Sequence, residues 1–305
     1  MNAASASRLV RQVAERHFGE KPRAVVEKGG GLTNAVYEFR VAKGTFIVRS
    51  HRDATKINDY LKEQWAMDAA RAAGVPTPHV LEVGNFADGR PYMICERAAG
   101  IEGRLADDRP AVLRELGRLA ARLHRVRTRG YGHVFDWSSN RLSRHETWAD
   151  WLRHGFDVER RLGVLCRHRV LSAAQAVTLR RTGNEIARWR RRPALQHGDL
   201  RLKNVFVDPR TTKISSLIDW DSCASTPGPA WDLSLALHDL GIDEKEALLA
   251  GYGLTASAHT ALLPTMRFFN VLNYAQAVES AARQRRRDAL ERLRLRLAGA
   301  YDLYA

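Results

Sequence analysis

The chain of 305 residues is poor in the features that cross-link a protein or anchor it in a membrane. Its 3 cysteines are too few and too scattered for a disulfide framework or a zinc site. No apolar run approaches the roughly 18 residues of a membrane-spanning helix, and residues 1–18 lack the apolar segment of a secretory signal. Internal repeats and low-complexity linkers are also absent. We therefore expect a reduced, cytoplasmic protein with no membrane association, long enough for one large domain or two lobes.

Acidic residues are scarce relative to basic ones. The sequence has 49 Lys and Arg against 34 Asp and Glu, and its formal net charge is +15. This balance permits binding to nucleic acid or to another acidic surface. However, the sequence has no recognised nucleic-acid-binding motif and no basic patch interleaved with aromatic residues. Its most basic stretch, residues 283–297, repeats apolar residues at helical spacing. We interpret that stretch as a solvated amphipathic helix and expect no nucleic-acid partner.

What the chain does contain is an acid, an amide and a second acid at the spacing that phosphoryl transfer needs. Asp199 and Asn204 lie five residues apart, and Asp219 follows Asn204 by fifteen. The Asp199 carboxylate can accept the proton of an attacking hydroxyl, as the aspartate of a kinase catalytic loop does. Asn204 and Asp219 supply hard oxygen ligands for Mg²⁺, which keeps waters and nucleotide phosphates as its other ligands.

The residues between Asn204 and Asp219 predict a hairpin that returns both ligands to the same end. Residues 205–207 and 214–218 are typical of short strands, and Asp208-Pro209-Arg210 predicts the turn between them. The alternative is that His-Gly-Asp is only a turn before a buried strand and that Ile-Asp-Trp-Asp is only a strand end. Three coordinated matches within one short stretch favour a kinase-type site.

The segments HGDLRLKNVFV, at 197–207, and LIDWD, at 217–221, resemble the aminoglycoside phosphotransferase family. Members of that family are small-molecule kinases with a protein-kinase-like fold. They carry His-Gly-Asp and Ile-Asp-Trp plus an acidic residue where protein kinases carry His-Arg-Asp and Asp-Phe-Gly. The resemblance implies an α+β, bilobal, protein-kinase-like fold. We predict a β-rich nucleotide-binding lobe over residues 1–97 and a larger, mainly helical catalytic and acceptor-binding lobe over residues 98–305.

A run of three glycines, residues 29–31, lies between predicted strands of the first lobe. Glycine lets backbone N–H groups approach phosphate oxygens closely, although a glycine-rich hairpin turn is the alternative. By resemblance, the stretch GGLTNAVY at 30–37 covers the nucleotide. The nucleotide-binding residues that it predicts are Gly30, Gly31, Thr33 and Asn34.

The resemblance also assigns residues further along the first lobe. Arg49 takes the place of the strand cation that contacts the α/β phosphates, where a guanidinium can bind bidentately. The alternative is that Arg49 only begins a basic loop. Glu63, on a helix predicted over residues 59–73, would orient Arg49. The backbone of the hinge, at Glu96 and Ala98, would bind the purine.

In the second lobe, Trp148 and Trp151 lie three apart on a predicted helix. They either stack on the acceptor or pack in the core. By resemblance, Asp232 supports the catalytic loop. His124 and His197 are interpreted as hydrogen-bonding or positioning residues.

The predicted activity is that of a phosphotransferase with an alcohol group as acceptor. It would use Mg²⁺ and a nucleoside triphosphate, ATP or GTP, and its small-molecule partner would carry the hydroxyl. An aminoglycoside-like antibiotic is the leading acceptor, and a metabolite alcohol of the choline, homoserine or sugar type is the nearest alternative. A nucleotide-binding pseudokinase regulator is a further alternative, against which the intact Asp199, Asn204 and Asp219 argue.

An aminoglycoside is a polycation, so a protein of net charge +15 needs a locally acidic pocket to bind one. Asp150 and Asp157 are seven residues apart and would share one face if their helix continues through Gly155. The full set of candidate carboxylates is Glu146, Asp150, Asp157, Glu159, Asp239, Asp243 and Glu244.

Overall fold

The computed structural model describes residues 3–29, 34–133, 145–238 and 240–303. The chain divides into two compact units, of which the first comprises residues 1–106 and 203–221 and the second residues 107–202 and 222–305. The first unit thus includes the segment from Asn204 to Asp219, which a division into two consecutive lobes places in the second. The functional boundary between residues 97 and 98 stays a prediction.

An antiparallel five-stranded sheet forms the framework of the first unit, in the order β1-β2-β3-β5-β4. Burial alternates along β2 and β3, because successive side chains of a strand point to opposite faces. In β5 every residue except the last is buried. The strands are β1 Ala24–Lys28, β2 Ala35–Val41, β3 Gly44–Ser50, β4 Val80–Asn85 and β5 Pro91–Glu96.

Helix α1, Ala3–Phe18, packs an apolar stripe against this sheet. Its buried residues recur at helical spacing and join sheet residues such as Phe39 and Phe46 in one core. Near its end, Arg16 and His17 both contact the Glu82 carboxylate of β4, with N···O distances of 2.5 and 2.7 Å. The helix is therefore part of the core of this unit.

Helix α2, Ile57–Ala72, follows a 3-10 turn, Ala54–Lys56, whose N-cap is Asp53. Gly74, just beyond it, has a left-handed φ of 77°, so the predicted helix over residues 59–73 is confirmed to within two residues at each end. A second sheet of this unit combines β6, Ile101–Glu102, with β8, Val205–Val207, and β9, Ile214–Leu217.

The second unit is mainly helical, with one short antiparallel pair, β7 Ala194–Gln196 and β10 Ala224–Thr226. Its helices are α3 Arg109–Leu123, α4 Trp148–Asp150, α5 Val158–Arg167, α6 Ala173–Ile186, α7 Ala230–Ala236, α8 Ile242–Tyr252, α9 Ala256–Asn273, α10 Ala275–Arg283 and α11 Arg287–Leu303. Among the described residues, none of the helices combines the length and the apolar character that crossing a membrane requires.

Helices α3 and α8 pack backbone to backbone at two glycines. A Cβ atom on Gly117 would lie 2.2 Å from the carbonyl oxygen of Leu248, and one on Gly251 would lie 1.9 Å from that of Arg114. Real Cβ atoms do not approach so closely, so only glycine permits this contact. It brings the C-terminal end of α8, at Tyr252, next to α3.

The basic stretch 283–297 does not form one helix, and that prediction is wrong at its start. Helix α10 ends at Arg283 and α11 begins at Arg287. Between them, Arg285 has a φ of 54°, and the N–H of Arg286 donates to the carbonyl of Ala281 at 2.9 Å. This is the hydrogen-bond pattern of a C-terminal cap on a left-handed residue, which the periodicity of the apolar residues does not reveal.

Candidate active site

The first unit contains a buried ion pair between Arg49 of β3 and Glu63 of α2. The Nη1 atom of Arg49 donates to the Oε2 atom of Glu63, and the side chains are 14% and 1% exposed. Burial would lower the pKa of Arg49, but the Glu63 carboxylate more than offsets this and raises it. Asp219 contributes to the same increase, so its carboxylate lies within electrostatic reach of Arg49.

Asn34 is tied to helix α2 through Tyr60. The hydroxyl of Tyr60 donates to the Oδ1 atom of Asn34 at 2.9 Å, and the Arg49 guanidinium lies over the Tyr60 ring at 5.7 Å from its centroid. The end of the glycine-rich stretch is thus fixed to the helix that also supplies Glu63. The predicted residues Gly30, Gly31 and Thr33 lie outside the described residues.

The predicted hairpin between Asn204 and Asp219 is present. Strands β8 and β9 pair antiparallel with Val205 opposite Leu217, and the N–H of Ile218 donates to the carbonyl of Asn204 at 2.9 Å. The two predicted metal ligands therefore leave the same end of the hairpin. Asn204 is buried, and Asp219 has a left-handed φ of 66°.

The chemistry of this pair fits Mg²⁺, since an amide oxygen and a carboxylate are hard ligands. Among the described residues, no group of three or more His, Cys, Asp or Glu side chains is placed to hold a metal ion. A metal at Asn204 and Asp219 would thus take most of its ligands from water and phosphate, as Mg²⁺ does. A left-handed backbone at a non-glycine residue costs roughly 1–3 kcal/mol and is typical of functional sites.

The predicted base Asp199 belongs to the second unit, in the loop after β7. Gly198 has a φ of 86°, and a Cβ atom there would lie 1.9 Å from the carbonyl oxygen of Ser222, so this loop requires glycine. The Nε atom of Arg201 donates to Oδ1 of Asp199, and the N–H of Arg201 donates to the Asp199 carbonyl at 2.9 Å. The Asp199 side chain is 14% exposed.

Asp232, in the first turn of α7, binds the backbone of the loop that contains Asp199. Its two carboxylate oxygens accept the N–H groups of His197 and Gly198, each at 2.7 Å. It also lies 3.0 Å from Nε2 of His124, whose Nδ1 is 2.9 Å from the hydroxyl of Tyr252. Burial favours the neutral acid, but the hydrogen bond and charge of His124, with the loop, hold the pKa of Asp232 below its usual value. The contacts of Asp232 are those expected of a loop-supporting residue.

Comparison with known proteins identifies the family to which this chain belongs. A sequence profile described as "Phosphotransferase enzyme family" matches residues 25–269, most of the chain. The chain belongs to the phosphotransferase enzyme family. The resemblance inferred from the His-Gly-Asp and Ile-Asp-Trp-Asp segments is confirmed.

Solved structures agree with this phosphotransferase assignment at the level of the fold. Aminoglycoside phosphotransferase APH(4)-Ia has a TM-score of 0.74 at 15% identity, over 97% of this chain and 98% of that one. A thermostable mutant of it, in a ternary complex with AMP-PNP and hygromycin B, gives 0.69 at 18% identity over 96% and 98%. An inferred fructosamine-3-kinase from Haemophilus somnus 129PT gives 0.64 at 14% identity over 95% and 96%. The predicted α+β, protein-kinase-like fold class is confirmed.

At the hinge predicted for Glu96 and Ala98, one backbone donor is already used. The N–H of Glu96 donates to the carbonyl of His79 at 2.9 Å, and the Glu96 side chain accepts the N–H of His79 at 3.1 Å. The sequence shows neither contact. Purine recognition would therefore rely on the Glu96 carbonyl and on the backbone at Ala98.

Trp148 and Trp151 are core residues of the second unit. They are 2% and 3% exposed, and their rings stack with centroids 4.9 Å apart. Phe156, Trp231 and Phe269 pack around them. Of the two alternatives that the sequence left open, the structure shows the core packing.

Most of the carboxylates that the sequence analysis named as candidates for binding a cationic acceptor already contact other groups of the chain. Asp150 lies 2.9 Å from Nδ1 of His145, Glu159 accepts two hydrogen bonds from Arg180, and Glu244 pairs with Arg109 at 2.9 Å. Glu146 and Asp243 are exposed, and Asp239 lies outside the described residues.

Asp150 and Asp157 do not share one continuous α-helix, so the condition for their common face is not met. Residues Trp151–Gly155 form a π-helix, and Asp157 has a left-handed φ of 56°. The Asp157 side chain accepts the N–H of Arg160 and so begins the new helix α5. An N-cap aspartate was the signal in the sequence for this break.

Three residues that contact predicted site residues or their neighbours escaped the sequence analysis: Tyr60 and Lys62 in the first unit, and Tyr252 in the second. Each is buried or partly buried and contacts a residue more than 20 positions away in sequence. Lys62 is 4% exposed although it is a lysine on a helix rich in charged residues. No periodicity distinguishes it from its solvated neighbours.

Proposed function

We propose that this phosphotransferase transfers the terminal phosphoryl group of ATP or GTP to a hydroxyl of a small molecule. The observation that carries the proposal lies in the first unit. There, β3 and α2 provide the buried Arg49–Glu63 pair, and the hairpin of the same unit brings Asn204 and Asp219 to one end. A strand cation, its glutamate and two oxygen ligands are the parts that a kinase uses around the phosphates.

Asn204 and Asp219 would hold Mg²⁺ through their side-chain oxygens. A metal held there would supply positive charge that offsets the negative charge of the phosphates during transfer. Arg49 would bind the phosphates with its remaining N–H groups, because Glu63 uses only part of the guanidinium fork.

Asp199 would orient the acceptor hydroxyl and take its proton. Asp232 fixes the backbone of His197 and Gly198, so the base is preorganised by its own loop. Arg201 donates to one carboxylate oxygen of Asp199 and so orients the carboxylate. Since the transition state of phosphoryl transfer is loose, positioning and electrostatics would supply most of the rate.

The remaining nucleotide contacts are assigned by resemblance to the family. Backbone groups of Gly30, Gly31 and Thr33 would cover the phosphates, and Asn34 would anchor that cover through Tyr60. The backbone of the hinge, at Glu96 and Ala98, would bind the purine.

An aminoglycoside-like antibiotic is one candidate acceptor. It is supported by the fold shared with APH(4)-Ia, a mutant of which has been crystallised with AMP-PNP and hygromycin B. On this hypothesis, acidic side chains of the second unit must bind amino groups.

A neutral or anionic metabolite alcohol is the second candidate, and the side chains of the second unit favour it. The guanidinium of Arg201 lies against the proposed base and would repel a polycation. Asp150, Glu159 and Glu244 each already contact a histidine or an arginine of this chain. A cationic acceptor would have to break these pairs before it could use their charge.

A nucleotide-consumption screen tests the proposal. Purified protein is incubated with Mg²⁺, ATP or GTP and single acceptors: kanamycin, hygromycin B, choline, homoserine, and neutral and phosphorylated sugars. We expect acceptor-dependent turnover that Asp199→Ala lowers by roughly 10²–10⁴-fold and that Asp208→Ala, an exposed turn variant, retains. Mass spectrometry of the acceptor identifies the phosphorylated product.

The outcomes separate the hypotheses. Turnover with kanamycin or hygromycin B supports an aminoglycoside. Turnover confined to choline, homoserine or a sugar supports the metabolite alcohol, and turnover of the cationic choline alone would contradict the preference for a neutral or anionic acceptor. Nucleotide binding without turnover on any acceptor would contradict the enzyme and indicate a pseudokinase. No nucleotide binding at all would contradict both.

A further inference from the structure

Lys62 of helix α2 is a buried lysine next to the phosphate-binding residues of the first unit. It is 4% exposed, and the neighbouring Glu63 is 1% exposed. An ammonium group has three donors, and its burial is costly unless they find acceptors. Within the described part of the chain, Lys62 forms no ion pair with a carboxylate. Its Nζ donates to the carbonyl oxygen of Asp221 at 2.8 Å.

That carbonyl belongs to the segment that carries Asp219. The left-handed backbone of Asp219 persists only if the surrounding structure fixes it, because the conformation is intrinsically unfavourable. On the N-terminal side, the N–H of Ile218 donates to the carbonyl of Asn204. The residue after Asp219, Trp220, donates back across the turn from its buried indole to the carbonyl of Leu217 at 3.0 Å. On the C-terminal side, the Lys62 ammonium holds Asp221.

Helix α2 therefore contacts both halves of the predicted phosphate site. Through Glu63 it orients the strand cation Arg49, and through Lys62 it holds the metal-binding segment. Lys62 and Glu63 are consecutive, so any shift of α2 moves both contacts together. The Lys62 charge also offsets part of the negative charge that Asp219 and Asp221 bring to this unit.

We propose that Lys62 is a positioning residue for metal–nucleotide binding: by holding the Asp221 carbonyl, it fixes the left-handed turn that directs the Asp219 carboxylate at the metal. This inference rests on the proposed function. Lys62 acts through the backbone and contacts neither the metal nor the phosphates. Its loss should weaken the metal-dependent part of nucleotide affinity and leave the metal-free part unchanged.

Calorimetric titration with AMP-PNP, in the presence of Mg²⁺ and in EDTA, tests this on the full chain. For Lys62→Met, which keeps the length and loses the donors, we expect Mg²⁺–AMP-PNP affinity to fall by roughly 10-fold or more, the usual effect of removing a residue that supports a metal ligand. Metal-free AMP-PNP affinity should change less than about twofold. Lys62→Arg, which keeps a donor and a charge, should lose less. Arg71→Met removes a partly exposed cation of the same helix and should bind as the wild type does.

If Lys62→Met weakens the Mg²⁺–AMP-PNP and the metal-free affinity equally, or weakens neither, the positioning role is refuted. The proposed function still stands in that case, provided that the wild type binds nucleotide. A wild type that binds no nucleotide would overturn both. Thermal melting verifies that each variant is folded. If Lys62→Met does not fold, Lys62→Gln, a shorter polar side chain that cannot span the same distance, takes its place with the same expected result.

Discussion

Asp199 and Asp219 lie close together in the sequence but have different proposed roles, Asp199 as the base and Asp219 as a metal ligand. Asp199 lies in a loop held by Asp232, whereas Asp219 ends a hairpin in the first unit. We expect Asp199→Ala to lower kcat by roughly 10²–10⁴-fold, the range for loss of a positioned general base, with Mg²⁺–nucleotide affinity retained. Asp219→Ala should weaken that affinity itself, because it removes a charged metal ligand. Steady-state kinetics and calorimetry distinguish the two effects.

Asp208→Ala is the control for both variants, since Asp208 lies in the exposed turn between β8 and β9 and caps only the N–H of Arg210. Its kinetics should match the wild type. An Asp199→Ala variant with full turnover would show that the base has been wrongly assigned.

The low pKa of the buried Asp232 carboxylate predicts how the free energy of unfolding depends on pH. Its pKa in the folded state lies below the usual value of 3.8, so the unfolded chain binds its proton more readily. The contribution of this carboxylate is therefore complete above the unfolded-state pKa and is lost as the pH falls through the folded-state pKa.

We expect Asp232→Asn to be less stable than the wild type near pH 5, with a difference that shrinks as the pH falls from about 5 to about 2. Urea unfolding at several pH values measures it. A difference that stays constant or grows down to pH 2 would contradict the low pKa of Asp232.

At the scale of the elements, the contact between α3 and α8 places Tyr252 next to His124, which contacts Asp232 below the proposed catalytic loop. Gly251→Ala would push a methyl group into the carbonyl of Arg114, and because both partners are backbone the helices must separate. We expect a loss of stability of about 1–3 kcal/mol, together with reduced turnover, because Tyr252 and His124 would no longer support Asp232.

Gly163→Ala is the matched control in a helix of the same unit. A Cβ atom at Gly163 meets nothing within 4 Å, so alanine should stabilise α5 by about 0.5–1 kcal/mol through the entropy of the unfolded chain. Thermal unfolding of both variants gives the comparison. If Gly251→Ala behaved like Gly163→Ala, the close helix contact would be refuted.

Local sequence patterns predict the elements whose signals are local. The hairpin between Asn204 and Asp219 follows from two short β-rich segments, 205–207 and 214–218, with the turn Asp208-Pro209-Arg210 between them. Helix α2 follows from its stop at Gly74. In contrast, the bond from Lys62 to Asp221 spans 159 positions and that from His124 to Tyr252 spans 128. Such contacts depend on how elements pack, which no pattern within one element encodes.

Helix breaks were also missed where a non-glycine residue takes a left-handed backbone. Asp157 and Arg285 both do so. At Asp157 a new helix begins, so the helix considered through Gly155 does not continue, and at Arg285 the helix predicted over 283–297 is interrupted near its start. Glycine signals such a conformation in a sequence, whereas arginine does not. Asp157 signals the start of a helix as an N-cap residue, but not the left-handed conformation of its backbone.

At the scale of the whole molecule, the folded core includes residues that lie before the start of the family match. The match begins at residue 25, yet α1, Ala3–Phe18, buries Val10 and Val13 in the core of the first unit. We expect a chain shortened to residues 25–305 to aggregate, because the shortening exposes a contiguous apolar surface around Phe39 and Phe46. Sedimentation and light scattering measure the outcome.

A point substitution checks the same idea in the full-length chain. Val13→Asp should lower the melting temperature strongly, since it buries an unpaired charge, whereas Arg8→Asp, on the exposed face of α1, should leave it nearly unchanged. A monomeric, stable protein without α1 would refute the role of this helix in the core.

The way in which α1 packs makes it an intramolecular ligand of the sheet. Residues 19–23 join it to β1 as a short tether, and the contacts of Arg16 and His17 with Glu82 set its register. The tether gives the helix a high effective concentration at the sheet. A cut within residues 19–23 would remove that advantage, and we expect the buried contacts and the ion pairs with Glu82 to keep the two pieces associated. A synthetic peptide of the α1 sequence, added to the shortened chain, would then restore its solubility by fragment complementation.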